Sequence, residues 1–172
     1  PAAMLLPGAD DAVSVPVSPD ELSARCHALL RRARQMQSRP DAVLFDGQGL
    51  AHPRRLGLAC HAGLLLRAPT VGCAKSRLVG EHGPVPVTPG GRADLVHEGE
   101  VVGAVVRTRA GVSPVFVSPG HLTDVDSAVD LVLRTTGRFR LPEPIRLAHV
   151  AGPYHESRAL ALAVAATRKA PL

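Results

Sequence analysis

Two short and almost wholly apolar runs, Ala42-Val-Leu-Phe45 and Pro69-Thr-Val-Gly-Cys73, limit the possible folds of this chain more than any other feature. Each is strand-length, and neither alternates between polar and apolar residues, as expected of strands buried on both faces. Between them, Arg55 to Leu66 has helical spacing, with Gly57 and Gly63 permitting close packing. Strand, helix and strand in this order imply a parallel pair joined by a right-handed crossover. The chain is therefore expected to be an α/β protein with a mixed sheet, its parallel strands central and helices covering it.

The rest of the sequence extends that sheet. Residues 93–97 and 101–108 flank Glu98-Gly-Glu100, a hairpin signal, and residues 114–118 give one more strand. Asp124 is placed to cap a helix running through Thr135, with Val125, Ala128, Val129, Val132 and Leu133 turned inward. A shorter helix is expected from Glu143 to Val150, carrying Arg146 and His149. Near the start, Ser18-Pro-Asp-Glu21 opens a helix in which Leu22, Cys26, Leu29 and Leu30 form the apolar stripe, with Arg31, Arg32 and Arg34 on the far side. Residues 1–17 read as an irregular arm, 80–91 as a Pro- and Gly-rich surface loop, and 152–172 as a C-terminal tail whose Ala-rich stretch 156–168 has helical character. At 172 residues, one domain over 1–172 accommodates all of this.

Composition narrows the function. Apolar residues make up 45% of the chain but aromatics only 2%, so the core must be built from Leu, Val and Ala, and base stacking on aromatic rings is scarce. A formal net charge of +5 suits a polyanionic partner such as nucleic acid. No apolar run approaches the roughly 18 to 20 residues of a membrane helix, and Pro1-Ala-Ala-Met-Leu-Leu-Pro7 lacks a basic leader region. The expected location is the cytoplasm, with no membrane partner. Cys26, Cys60 and Cys73 are odd in number and lack metal-type spacing, as expected of buried reduced thiols. Monomer and dimer are both compatible with the sequence.

The chemistry concentrates where the first buried strand ends. Asp46 closes that strand and runs straight into Gly47-Gln-Gly-Leu-Ala-His-Pro-Arg-Arg-Leu-Gly57. A carboxylate at a strand exit is held rigidly yet faces a cleft; as a hard oxygen ligand it suits Mg²⁺, which activates water and neutralises developing charge in phosphodiester hydrolysis. Taken by residue type, Asp46 is equally an aspartate ending a strand in an Asx-turn. His52, Arg54 and Arg55 just downstream, beside Gly47 and Gly49, favour contact with a nucleic-acid backbone or base. Lys75 follows the second strand on the same edge of a parallel pair, where it is suited to pair with a phosphate or steer a water. By composition alone it is an ordinary solvated lysine.

The block Asp46-Gly-Gln-Gly-Leu-Ala-His-Pro-Arg-Arg-Leu-Gly-Leu-Ala-Cys-His61, then Pro69-Thr-Val-Gly-Cys-Ala-Lys-Ser-Arg-Leu78, resembles the endonuclease V family, nucleases directed to deoxyinosine in DNA. Val102-Gly-Ala-Val-Val-Arg-Thr-Arg109, Pro114-Val-Phe-Val-Ser-Pro-Gly-His121 and Arg140-Leu-Pro-Glu-Pro-Ile-Arg-Leu-Ala-His149 follow in matching order. The resemblance implies a ribonuclease-H-like mixed sheet flanked by helices and cleavage of DNA or RNA 3′ to deoxyinosine or inosine. It also implies a Mg²⁺ cofactor, with Mn²⁺ as a substitute, and a metal-ligand role for Asp46. By the same resemblance, Lys75 and His149 join Asp46 in catalysis. Gly47, Gln48, Gly49, His52, Arg54 and Arg55 would contact the substrate, the Gly47 to Ala51 backbone receiving a flipped base.

Two family acids are expected to be missing. One is an aspartate ending an N-terminal strand that faces Asp46; the other is a glutamate following a wedge to which Leu6-Pro7-Gly8 is similar without its tyrosine. On this reading the chain is N-terminally truncated relative to the family. An apolar sheet edge is left bare, and a weak or inactive nucleic-acid-binding protein is the alternative function.

Overall fold

The computed structural model describes residues 11–14, 18, 20, 21, 24, 28, 41–151 and 159–165. Seven strands form one sheet: β1 (Asp11–Ser14), β2 (Ala42–Phe45), β3 (Thr70–Ala74), β4 (Arg92–His97), β5 (Glu100–Val106), β6 (Val115–Pro119) and β7 (Ala159–Ala165). Their order across the sheet is β1-β7-β2-β3-β6-β5-β4. Three helices complete the labelled elements: α1 (Leu58–Leu66), α2 (Val125–Thr135) and α3 (Glu143–Ala151).

β2 and β3 are the expected parallel pair, with Val43 opposite Thr70 and Phe45 opposite Gly72, and α1 lies between them in sequence. Because side chains alternate across a strand, β2 serves two cores at once. Leu44 packs with Val71, Cys73, Ala104, Val106 and Val117 under α2 and α3, where Val129, Val132, Ile145 and Ala148 close the layer. Val43 and Phe45 face the opposite way, onto Ala59, Ala62 and Leu66 of α1. Full burial of each such side chain contributes about 1.5–3 kcal/mol, enough to fix the plane of β2 and the place where it ends.

The hairpin β4–β5 turns at Glu98-Gly99, both with positive φ, as a two-residue turn between twisted strands requires. Asp124 caps α2 by accepting from Ser127 N at 2.8 Å. Ser18 likewise accepts from Glu21 N at 3.1 Å. Asp20, Glu21, Ala24 and Ala28 are helical. The stripe Leu22, Cys26, Leu29 and Leu30 and the arginines 31, 32 and 34 lie outside the described residues.

Three expectations need correction. The Ala-rich C-terminal stretch is not helical over 159–165. It is β7, antiparallel to β2 on one side and to β1 on the other. Alanine's helix propensity is a fraction of a kcal/mol per residue, and a strand slot with two rows of unpaired N–H and C=O groups outweighs it. For the same reason residues 11–14 of the expected irregular arm are a strand. β2 consequently has a partner on each side, β3 and β7, and its flank is not bare.

Candidate active site

The parallel pair directs the C-terminal ends of β2 and β3 to one edge of the sheet, and two of the sequence-predicted residues sit there. Asp46 follows β2 and Lys75 follows β3. His149 is delivered by α3, which packs over the same part of the sheet. Lys75 Nζ donates to Asp46 Oδ2 at 2.8 Å and lies 2.5 Å from His149 Nε2. An ammonium is donor-only, so the imidazole nitrogen is the acceptor. His149 Nε2 is also 3.5 Å from Asp46 Oδ2. A carboxylate, an ammonium and an imidazole from positions 46, 75 and 149 thus meet at one point. The Asp46 side chain is 12% exposed, against 38% for Lys75 and 35% for His149, so the cluster is rooted in the sheet and open at its outer side.

The loop leaving Asp46 is held by backbone contacts too close for any side chain. It crosses β3 at Gly72, where a Cβ would come within 2.6 Å of Gly49 N, and reaches β6, where Leu50 N donates to Pro119 O at 2.9 Å. A Cβ on Gly49 would lie 2.0 Å from Pro119 O, and one on Gly57 2.3 Å from Gln48 O. Gly57 N and Ala59 N donate to Gly49 O and Gln48 O, so the loop's carbonyls satisfy donors at the start of α1. This pinning is why α1 begins at Leu58 rather than Arg55. Arg55 stays in the preceding turn with φ of 52°.

Gln48 is buried, and its amide points inward: Nε2 donates to Ser76 O at 3.1 Å, while Oε1 accepts from Ser118 Oγ at 3.4 Å. Ser118 Oγ in turn accepts from Gly49 N at 2.8 Å. Gln48 and Gly49 therefore shape the loop from inside, and Gly47 remains half-exposed with room around it. His52 Nδ1 accepts from Arg54 N at 3.2 Å. Burial, then the charges of Arg54 and His61, push the His52 pKa down. Arg54 is exposed, whereas Arg55 pairs with Glu100 at the hairpin turn at 2.5 Å. The structure gathers Asp46, Lys75 and His149; His52, Arg54 and Arg55 make their contacts apart from that cluster.

Beneath the cluster, Cys73 is a buried free thiol whose pKa burial raises to about 12, and Cys60 is likewise buried and free. Cys26 lies outside the described residues. Sequence reading gave no role to Ser118, Ser76 or Arg140. Their contacts span 26 to 70 positions, and no local pattern announces such pairs.

A mixed sheet with helices on its faces and an acid at the exit of a central strand defines a ribonuclease-H-like α/β protein, the class to which nucleases of this architecture belong. Within that class the sequence profile of endonuclease V matches residues 9–150, and the chain belongs to the endonuclease V family. An endonuclease V of Myxococcus xanthus is 60% identical over 111 residues, covering 64% of this chain and 47% of the relative. Endonuclease V of Bacillus subtilis superposes with a TM-score of 0.66 at 34% identity, covering 80% of this chain and 60% of the other. Endonuclease V of Ciona intestinalis, in complex with a 24mer DNA containing an inosine followed by a ribo-adenosine, gives 0.64 at 28% identity, covering 79% and 65%. The chain spans about half to three-fifths of the length of relatives such as those of Myxococcus xanthus and Nostoc. Among the described residues no helix is long and apolar enough to cross a membrane.

Proposed function

We propose that this chain forms the phosphodiester-cutting part of a metal-dependent endonuclease V, nicking DNA or RNA 3′ to deoxyinosine or inosine as a step of DNA repair in the cytoplasm. The observation that supports it best is the meeting of Asp46, Lys75 and His149 at the strand ends. A relative of the same fold binds inosine-containing DNA, which supports the substrate class.

The donor set fits Mg²⁺ in its weaker mode. Asp46 would hold the ion through one carboxylate, the remaining positions falling to water and substrate phosphate oxygens. When bound, such an ion, with Mn²⁺ as a substitute, would activate water and offset charge on the leaving oxygen. Lys75, which donates to Asp46 Oδ2, would move onto a non-bridging phosphate oxygen, and His149 would hold the ammonium's orientation as it does so. The half-exposed Gly47 backbone, His52 and Arg54 would meet the lesion strand. Gln48 and Gly49 would act by fixing that loop, and Arg55 would bind only after leaving Glu100.

A second reading, binding without cutting, is favoured by one observation. Among the described residues no three His, Cys, Asp or Glu side chains are grouped to hold a metal. The deciding measurement is Mg²⁺-dependent nicking of an inosine-containing duplex by the chain and by Asp46→Asn. The expected outcome is nicking by the parent and a loss of about 10²- to 10³-fold or more in the variant. Equal rates would remove Asp46 from the metal site. Binding with no nicking in either protein would establish the second reading.

A further inference from the structure

Besides the Lys75–His149 contact, one arginine ties the turn after β3 to the segment leading into helix α3. Arg140 stands just ahead of α3, and its Nη2 donates to Lys75 O at 2.8 Å and to Pro114 O at 2.7 Å. Its own carbonyl accepts from Thr108 Oγ1 at 2.7 Å, and Thr108 is buried. One planar donor therefore clamps the backbone of Lys75 to the start of β6, while the arginine's own backbone is fastened to the segment after β5. The next carbonyl along, that of Ser76, is held by Gln48. Both carbonyls of the Lys75-Ser76 turn are thus gripped by side chains from other parts of the fold, one of them rooted beside Asp46 and the other beside the helix that carries His149.

We propose that Arg140 is a positioning residue that sets where the Lys75 ammonium lies between Asp46 and His149. Two features separate it from an arginine waiting for a phosphate. Its Nη2 is committed to two backbone carbonyls. Among the described residues its buried Nε has no hydrogen-bond partner, a cost that a side chain free to swing into solvent avoids. Planarity matters as well as charge: the two hydrogens of one flat Nη2 nitrogen each meet a carbonyl, whereas a lysine brings a compact tetrahedral ammonium on a more flexible stem. Displacing a reacting group by about 1 Å costs around 100-fold in rate, so a clamp acting only on Lys75 changes turnover and leaves substrate binding alone.

This assignment rests on the cutting function proposed above, and the test keeps the two apart. The full chain, Arg140→Met and Arg140→Lys are compared in single-turnover and steady-state nicking of an inosine-containing duplex. In parallel, the His149 imidazole ¹⁵N shifts are recorded without substrate. In Arg140→Met, kcat is expected to fall by about 10- to 100-fold with KM within about twofold, Arg140→Lys recovering part of the loss. The His149 ring shifts should move in Arg140→Met and return part of the way in Arg140→Lys. If Arg140→Met does not fold, Arg140→Lys carries the test and must itself lower kcat while moving the His149 shifts. Unchanged kcat and unchanged His149 shifts in a folded variant would overturn the positioning role. A parent that never nicks would overturn the cutting function, and the His149 shifts would still decide whether Arg140 holds the cluster.

Discussion

Residues 46–57 and 80–91 are both loops punctuated by glycine and proline, and in composition they look interchangeable, yet Gly49 and Gly57 of the first and Gly83 and Gly90 of the second are present for opposite reasons. In the first loop, a Cβ on Gly49 or Gly57 would run into backbone oxygen at 2.0 or 2.3 Å. In the second, Gly83 and Gly90 have nothing within 4 Å, and Val87 is 76% exposed. Glycine can mark a place with no room for a side chain or a place with no use for one. Only the first kind transmits position, and it is the first loop that begins with Asp46.

The hardest test of this contrast is Gly49→Ala. The obstructing atoms belong to the Ser118-Pro119 backbone of β6, which cannot rotate aside as a flexible side chain would. The loop must lift from β6, breaking Gly49 N to Ser118 Oγ and Leu50 N to Pro119 O. A loss of about 3 kcal/mol or more is expected, read as a lower urea midpoint at unchanged slope. A change below about 0.5 kcal/mol, the usual range for surface substitutions, would mean the loop is not pinned as described.

A smaller effect is expected from Gln48→Ala. It leaves Ser76 O and Ser118 Oγ without their amide partner while preserving the backbone path of the loop. Stranding buried polar groups costs about 1–3 kcal/mol. The substitution also distinguishes an inward-facing residue from one that reads the base. If Gln48 shapes the loop, thermal stability falls and affinity for inosine-containing and inosine-free duplexes falls by the same factor. A selective loss on the inosine duplex would return Gln48 to direct substrate contact.

Much of this was legible in the sequence because it rests on local signals. The apolar runs at 42–45 and 69–73 became β2 and β3, the Glu98-Gly99 turn made its hairpin, and Asp124 capped α2. Asp46 and Lys75 could be placed together because parallel strands deliver their ends to one edge; His149 needed the family resemblance, since nothing local says which way its helix packs. What escaped was set by tertiary partners. Residues 159–165 read as a helix until β2 offered them an edge, and Arg55 read as the start of a helix until Gly57 and Ala59 were drawn to the loop's carbonyls; Gln48 read as a substrate contact, and no local pattern showed that its amide turns inward onto Ser76 and Ser118.

The mildest prediction is the counterpart of the first: Gly83→Ala should stabilise the protein. Its φ lies outside the left-handed region occupied by Gly80, Gly90, Gly99 and Gly111, and Pro84 restricts it to extended conformations that alanine adopts freely. A Cβ there meets nothing. The Gly83 carbonyl that His82 Nδ1 approaches at 2.8 Å is a backbone group and survives the change. The effect then comes from the unfolded chain, which loses conformational freedom, and is worth about 0.4–1 kcal/mol in favour of folding. Gly90→Ala is the internal control. Its surroundings are equally open, but its φ of 83° strains alanine, so it should destabilise where Gly83→Ala stabilises. If both substitutions instead destabilise to the same degree, residues 80–91 are packed against something in the working protein, and the contrast between the two loops would disappear.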